Sequence, residues 1–125
     1  MPVEHFVDQK LNILRVRRWE HIDTQDEDLA FSARGNDPLI VPGIPVLVNC
    51  TEVEPTDSTE LIEYIAKCTT RIAADLQCGP LAIVVSSDIE YGMARMYMAY
   101  TELSHPNTNV FRSESEALEW LVGQR

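Results

Sequence analysis

The sequence predicts an α/β protein built on a mixed sheet, and three observations support this prediction. Short apolar runs with the length of strands alternate along the chain with longer segments of helical periodicity. This alternation implies a mainly parallel sheet with right-handed crossovers and covering helices, that is, parallel βαβ units. The first two strand-like segments have no helix between them, so we expect the chain to open with an antiparallel hairpin. The length of 125 residues fits a single domain, residues 1–125.

The predicted hairpin and first helix occupy the amino-terminal third. Residues 3–7 and 11–19 have the composition of strands, and residues 8–10 would form the turn. Residues 23–34 form a predicted helix, because Asp23 or Thr24 can cap its start and the acidic residues 26–28 favour its positive end. Residues 46–48 are a short apolar strand that we expect to end at Asn49.

The carboxy-terminal part contains the clearest elements. Residues 57–77 form the strongest predicted helix, with an apolar stripe at helical spacing and a capping-box pair, Asp57 and Glu60. The continuous apolar run 81–85 is typical of a central strand that is covered on both faces. The predicted elements that follow are a helix capped at 86–88 and running to about residue 104, a strand at 110–111, and a helix from Ser113 with Glu116 as its capping-box partner.

Composition excludes several classes of function. The chain has 10 Lys and Arg against 20 Asp and Glu, a net charge of −10, which argues against binding nucleic acid or an anionic membrane surface. No apolar run reaches the roughly 18 residues of a membrane span, and the amino terminus lacks the features of a signal peptide. Three cysteines without CxxC spacing indicate free thiols in a cytoplasmic protein.

The sequence suggests neither a catalytic nor a metal-binding arrangement. His5, His21 and His105 have no metal-ligand spacing, and no Cys–His or Ser–His–Asp arrangement is suggested by the local sequence. We therefore expect no metal, no cofactor and no enzymatic activity. Cys50 is the thiol of most interest, because it is expected at the carboxyl edge of the sheet.

The order of elements resembles the SpoIIAA-like fold shared by STAS domains and by a branch of small uncharacterised bacterial proteins. In anti-sigma factor antagonists with this fold, a strand ending in Asn or Asp leads to Asp-Ser-Ser-Gly at a helix start. Here Asn49 is followed, at similar spacing, by residues 57–60, Asp-Ser-Thr-Glu. The resemblance implies that Thr59 corresponds to the phosphoacceptor hydroxyl, although Glu60 replaces the glycine. Residues 91–97, and residues 110–112 with the helix from 116 to 121, look like the uncharacterised branch, which is often described as STAS-like or as related to lipid-transfer domains.

Two helix starts are candidate sites. Phosphate is favoured at a helix N-terminus, so Ser58 and Thr59 are candidate phosphoacceptors, and Asp57 with Ser58 and Thr59 could equally serve only as cap and first turn. Ser86 and Ser87 follow the central strand and are expected at the same sheet edge, where a small polar ligand could lie between the two helix starts.

The predicted helix that follows residue 88 is unusually poor in charge for so acidic a chain. Its apolar residues surround most of the helix, which is typical of a helix that is buried on two sides or lies at an interface. Three explanations stay open: a homodimer face, a lipophilic pocket, or ordinary core packing. The residues concerned are Tyr91, Met93, Met96, Tyr97, Met98 and Tyr100, with Tyr97 at the edge of the apolar stripe.

The sequence as a whole indicates a non-enzymatic regulatory or protein-interaction module of the SpoIIAA-like or STAS-like type, and two hypotheses follow. The first is a homodimer that contacts a protein partner through the helix that bears Tyr91 and Tyr100. The second is a carrier or sensor of a small lipophilic or acidic molecule, with a pocket lined by Met93, Met96 and Tyr100.

Overall fold

Five strands and four helices make up the fold in the computed structural model, which describes residues 2–54, 59–76, 79–103, 105 and 107–124, without the side chains of 72–76. In chain order the elements are β1 (Val3–Asp8), β2 (Ile13–Glu20), α1 (Thr24–Gly35), β3 (Val46–Val53), α2 (Thr59–Leu76), β4 (Leu81–Val84), α3 (Asp88–Tyr100), β5 (Thr108–Phe111) and α4 (Glu114–Gly123).

The strands lie in the sheet in the order of the chain, β1-β2-β3-β4-β5. The first pair is antiparallel, with Val3 opposite Arg18, and every later pair is parallel. The predicted mixed sheet, with an opening hairpin and parallel βαβ units, is therefore confirmed. Among the described residues, no helix is both long and apolar enough to cross a membrane.

The third strand is longer than the sequence predicts. It continues beyond Asn49 to Val53, because its pairing with β2 resumes after an irregularity and joins Trp19 to Glu52 and Glu20 to Val53. The expected end at Asn49 marks instead where β4 stops, since Asn49 pairs with Val84 there. The extension has a neighbour on one side only and is half-exposed, which explains its mixed polar and apolar sequence.

Side chains of successive strand residues point to opposite faces of the sheet, and the two faces have different covers. Leu47, Ala82 and Val84 pack against Ala117 and Leu121 of α4. On the opposite face, Val46 and Val48 join two clusters that include residues of α1, α2 and α3, among them Ala30, Ile62, Ala66 and Ala94. The strand β4 is buried on both faces, as its apolar run predicts.

Helices α1 and α3 both begin at the carboxyl edge of the sheet with complete capping boxes. Asp23 and Asp26 exchange bonds at the start of α1, and Ser87 and Glu90 do so at the start of α3. At α4, Ser113 accepts a bond from the backbone N–H of Glu116, which is half of the predicted box. Helices α1 and α3 therefore both run back over the sheet from the same edge.

Candidate functional site

A cavity of about 240 Å³ lies between one face of the sheet and helices α1, α2 and α3. Its floor consists of alternate side chains of three neighbouring strands, namely Leu14, Arg18, Val46, Val48, Cys50, Leu81, Ile83 and Val85. Its roof consists of inward side chains of the helices, namely Phe31, Arg34, Leu61, Ile62, Ile65, Thr69, Glu90, Met93, Ala94 and Tyr97. Most of these side chains are apolar, and the few polar ones define what the cavity can bind.

The amino-edge end of the cavity is closed by a close approach of two loops. A Cβ atom at Gly79 would lie 2.3 Å from the carbonyl oxygen of Gly43, so only glycine allows this contact. The buried His105 lies here as well, and its Nε2 donates to the carbonyl oxygen of Gly79 at 2.6 Å. The other ring nitrogen, Nδ1, is buried without a partner among the described residues.

Toward the carboxyl edge, the wall contains an ion pair between Arg18 and Glu27. Nη1 of Arg18 donates to Oε2 of Glu27 at 3.2 Å, and Nη2 donates to Oε1. Glu27 has no exposed surface, and the Arg18 side chain is 11% exposed. Burial opposes the charge on Arg18, but the attraction and hydrogen bonding of Glu27, together with the effects of Cys50 and Tyr97, outweigh it and raise the pKa of Arg18 above its ordinary value. Arg18 is therefore charged, and Glu27 satisfies two of its donors.

Arg34 is the second arginine of the cavity, and one of its donors has no partner among the described residues. Its Nη2 atom is buried and makes no hydrogen bond to any described residue, and its guanidinium lies over the ring of Phe31 at 4.3 Å. Burial and the nearby Arg18 cation lower the pKa of Arg34 to about 10. At neutral pH the guanidinium is still protonated, so the cavity holds a cation with a free donor.

Glu90 contributes a carboxylate at the start of α3. Its Oε1 atom accepts from the hydroxyl groups of Ser86 at 3.0 Å and Ser87 at 3.1 Å, and from both of their backbone N–H groups. Its Oε2 atom is buried without a partner in the part of the chain that the structure describes. The serines that we predicted as a ligand edge thus hold this carboxylate in place, and the free oxygen belongs to Glu90.

Cys50 lies within β3 and lines the cavity floor, whereas the sequence places it at the end of a strand. Burial raises the pKa of its thiol to about 11, because it outweighs the attraction of Arg18 for the thiolate, and the carboxylates of Glu90 and Glu27 add to the rise. The thiolate is the reactive form of cysteine. At neutral pH this thiol is therefore protonated and unreactive.

The predicted residues of α3 divide between the cavity, the core and the surface. Met93 and Tyr97 line the cavity, whereas Tyr91, Met96 and Met98 are partly buried against the apolar cluster beside it. Tyr97 is 8% exposed and its hydroxyl donates to Oγ1 of Thr69 at 3.0 Å, so the prediction of an edge position was wrong. Tyr100 is 48% exposed and donates to Glu63 at the surface.

The helical phase explains this division. The inward face of α3 is formed by Glu90, Ala94, Tyr97 and, just beyond the helix, Thr101, each of which follows the one before by about one turn. Tyr100, which the sequence analysis grouped with Met93 and Met96, lies outside this face and is exposed. The sequence interpretation considered apolar and aromatic side chains only, so it left out a glutamate and an alanine of the inward face.

The candidate phosphoacceptor segment falls mainly outside the described residues. Asp57 and Ser58 are not described, and Thr59 is the first residue of α2, where it is exposed. Phosphorylation at Ser58 or Thr59 therefore stays a prediction.

The charged residues of the cavity were not selected from the sequence, although signals for them exist. Arg18 shares a strand face with the apolar Leu14 and Val16, and Glu27 and Arg34 are seven residues apart on α1, with the buried Ala30 between them. Such charges on apolar faces indicate buried pairs or sites. Among the described residues, there is no cluster of three or more His, Cys, Asp or Glu that could hold a metal ion.

Comparison with known proteins assigns the architecture to the SpoIIAA-like fold. A crystal structure of an uncharacterized protein from the DUF3478 family of Shewanella loihica PV-4, which has a SpoIIAA-like fold, matches with a TM-score of 0.61 over 95% of this chain and 91% of that chain. The two sequences are 16% identical, so the likeness shows the fold alone. No protein-family model matches the sequence, and the search of curated proteins found no match.

Proposed function

We propose that this chain is a non-enzymatic regulatory module that binds a small lipophilic molecule with an acidic group in the cavity, as a carrier or sensor. The cavity is the observation that carries this proposal. An engineered protein cavity of about 150 Å³ lined by apolar side chains binds benzene, and the present cavity of about 240 Å³ is larger. Ligand pockets typically have volumes of roughly 300 to 1,000 Å³. The present cavity lies just below that range, so its ligand should be small.

The unpartnered polar atoms support a ligand in this space. Nη2 of Arg34, Oε2 of Glu90 and Nδ1 of His105 are all buried without a partner among the described residues. Buried polar atoms are nearly always hydrogen-bonded, and each exception costs about 1–3 kcal/mol. A ligand with an apolar body and polar ends would satisfy such atoms and fill the apolar space between them.

The candidate nucleophiles near the cavity support a binding role more than a catalytic one. The thiol of Cys50 is held in its protonated form by burial. The hydroxyl of Ser87 accepts from the backbone N–H of Glu90 as a helix cap, and the hydroxyl of Ser86 lies within hydrogen-bond distance of Glu90 and of the carbonyl oxygen of Thr51. The two serine hydroxyls thus hold the start of α3 in place.

The protein-interaction hypothesis has less support from the geometry of α3. Most of the apolar side chains that suggested an interface pack inward against the core or line the cavity. Ile89 and Tyr100 are 55% and 48% exposed, and they are the residues of this helix left for a second copy or a partner. Formation of a homodimer therefore stays a prediction, which sedimentation velocity can test.

Native mass spectrometry of the protein purified from its own host tests the ligand directly. We expect a bound small molecule that is released on denaturation. Ala94 lies in the roof of the cavity and Ala99 is exposed on the same helix. Ala94→Phe should fill the space and abolish the added mass, and Ala99→Phe should retain it.

Three results would be decisive. No added mass on the wild-type protein, or equal added mass on both variants, would contradict the cavity as the binding site. An increment of one phosphate that persists on denaturation would instead support modification of Ser58 or Thr59. Far-ultraviolet circular dichroism of both variants establishes that each is folded, and Ala94→Leu provides a smaller replacement.

A further inference from the structure

We propose that the ligand is a carboxylic acid with an apolar body, and that its carboxylate pairs with the guanidinium of Arg34. This inference rests on the proposed function, because it names the chemical class that the same cavity would select. It assigns to Arg34 the role of anion recognition.

The electrostatic environment of Arg34 carries the inference. The structure gives this guanidinium no ion pair with a carboxylate of the described residues, and its Nη2 is buried and unbonded. The other arginine of the cavity, Arg18, already has Glu27 as its hydrogen-bonded partner. A buried donor of a charged group that is left without a partner is costly, so an anion that enters the cavity and accepts from Nη2 of Arg34 gains a charge-assisted bond and relieves that cost.

The position of Arg34 matches a ligand that spans the cavity. Arg34 follows Glu27 by seven residues on α1, and seven residues correspond to about 10 Å along a helix. It therefore lies about two turns from the carboxyl edge, in a wall that also contains Phe31 and Tyr97. A carboxylate at this point leaves the apolar floor of β3 and β4 for a hydrocarbon body.

The remaining charges favour a carboxylate over a phosphate. Glu90 lies in the cavity wall with a free oxygen, and Glu27 lies directly behind Arg18. Like charges in a poorly solvated space repel each other strongly, and a phosphate monoester carries about −1.5 to −2 charges at pH 7. A carboxylate, with its single negative charge, meets less of this repulsion when it pairs with Arg34.

Calorimetric titration of the full chain with sodium octanoate, 1-octanol and octyl phosphate tests the assignment. These probes share one hydrocarbon body and differ in the head group. We expect octanoate to bind the wild-type protein at least about tenfold more tightly than octanol, as a hydrogen bond to a charged group implies. Arg34→Met should remove this preference while octanol binding stays, and Arg95→Met, at an exposed position of α3, should keep the preference.

The outcomes separate the two proposals. If octanoate and octanol bind the wild-type protein equally well, or if the preference survives in Arg34→Met, the role of Arg34 is overturned and the cavity remains a binding site. Tighter binding of octyl phosphate than of octanoate would overturn the carboxylate class. If none of the probes binds, the proposed function fails together with this inference. Should Arg34→Met not fold, Arg34→Lys and Arg34→Gln replace it, with the preference expected in the lysine variant alone.

Discussion

Arg18 of β2 and Glu27 of α1 form an ion pair in which the carboxylate has no exposed surface. The pair joins the first helix to the sheet beside the cavity, because Arg18 also lines the cavity wall. It thereby fixes the helix that bears Arg34. Of the two arginines that line the cavity, Arg18 is paired with Glu27, whereas Nη2 of Arg34 has no partner in the part of the chain that the structure describes.

Removing the charge of Glu27 should be strongly destabilising. Glu27→Gln leaves the Arg18 cation buried without a counter-charge, and breaking a buried pair in this way costs about 3–5 kcal/mol. We expect a loss of this size in the free energy of unfolding, measured by urea denaturation. Glu52→Gln is the control, because Glu52 pairs with Arg17 at 2.7 Å on the exposed surface and such pairs contribute at most about 1 kcal/mol.

A double variant separates the pair from the packing of its side chains. Arg18→Met with Glu27→Met removes both charges and should recover most of the stability lost in Glu27→Gln. Equal losses for Glu27→Gln and Glu52→Gln would show that the pair is not buried as described.

The hydroxyl of Tyr97 should contribute measurably to stability. Tyr97→Phe removes a buried hydrogen bond to Thr69 of 3.0 Å, and we expect a loss of about 1 kcal/mol in the free energy of unfolding. Tyr100→Phe removes a bond of the same length to Glu63 at the surface and should cost less, because water replaces the lost partner. A larger effect of the Tyr100 variant would contradict the burial assigned to the two residues.

Cys50 should make the stability depend on alkaline pH. Its pKa is raised from 9.0 to about 11 in the folded protein, so between these values the unfolded chain binds fewer protons than the folded one. The free energy of unfolding should therefore fall as pH rises through this window. The fall should be shallower in Cys50→Ala, and urea denaturation across this pH range measures the difference. Identical slopes would show that the thiol is not buried in the folded protein.

Self-association through α3 is the remaining prediction from the sequence. Tyr97→Glu cannot test it, because Tyr97 is buried and the charge would disrupt the core. Ile89 is 55% exposed on α3, and Leu39, at 52%, lies in the loop before β3. If the chain is a homodimer through α3, sedimentation velocity should show Ile89→Glu as a monomer and Leu39→Glu as a dimer. A monomeric wild-type protein would contradict the homodimer.

Local sequence patterns predicted most of the elements correctly. Asp23, Ser87 and Ser113 cap helices as expected, because a cap depends on a few neighbouring residues. The extension of β3 to Val53 was missed, since it depends on pairing with β2 from a distant part of the chain. The phase of α3 was also missed, because Glu90 and Ala94 face inward only where the sheet and α2 provide partners and space.

The sequence by itself determined the order of elements, the mixed sheet and the buried central strand, because periodicity and capping are properties of neighbouring residues. The tertiary structure alone decided where the cavity lies and which charges face it. Arg18, Arg34 and Glu90 come from three different elements, and only the packing of α1 and α3 on one face of the sheet places them around a common space. The same packing pairs Arg18 with Glu27 and leaves Nη2 of Arg34 without a hydrogen-bond partner among the described residues.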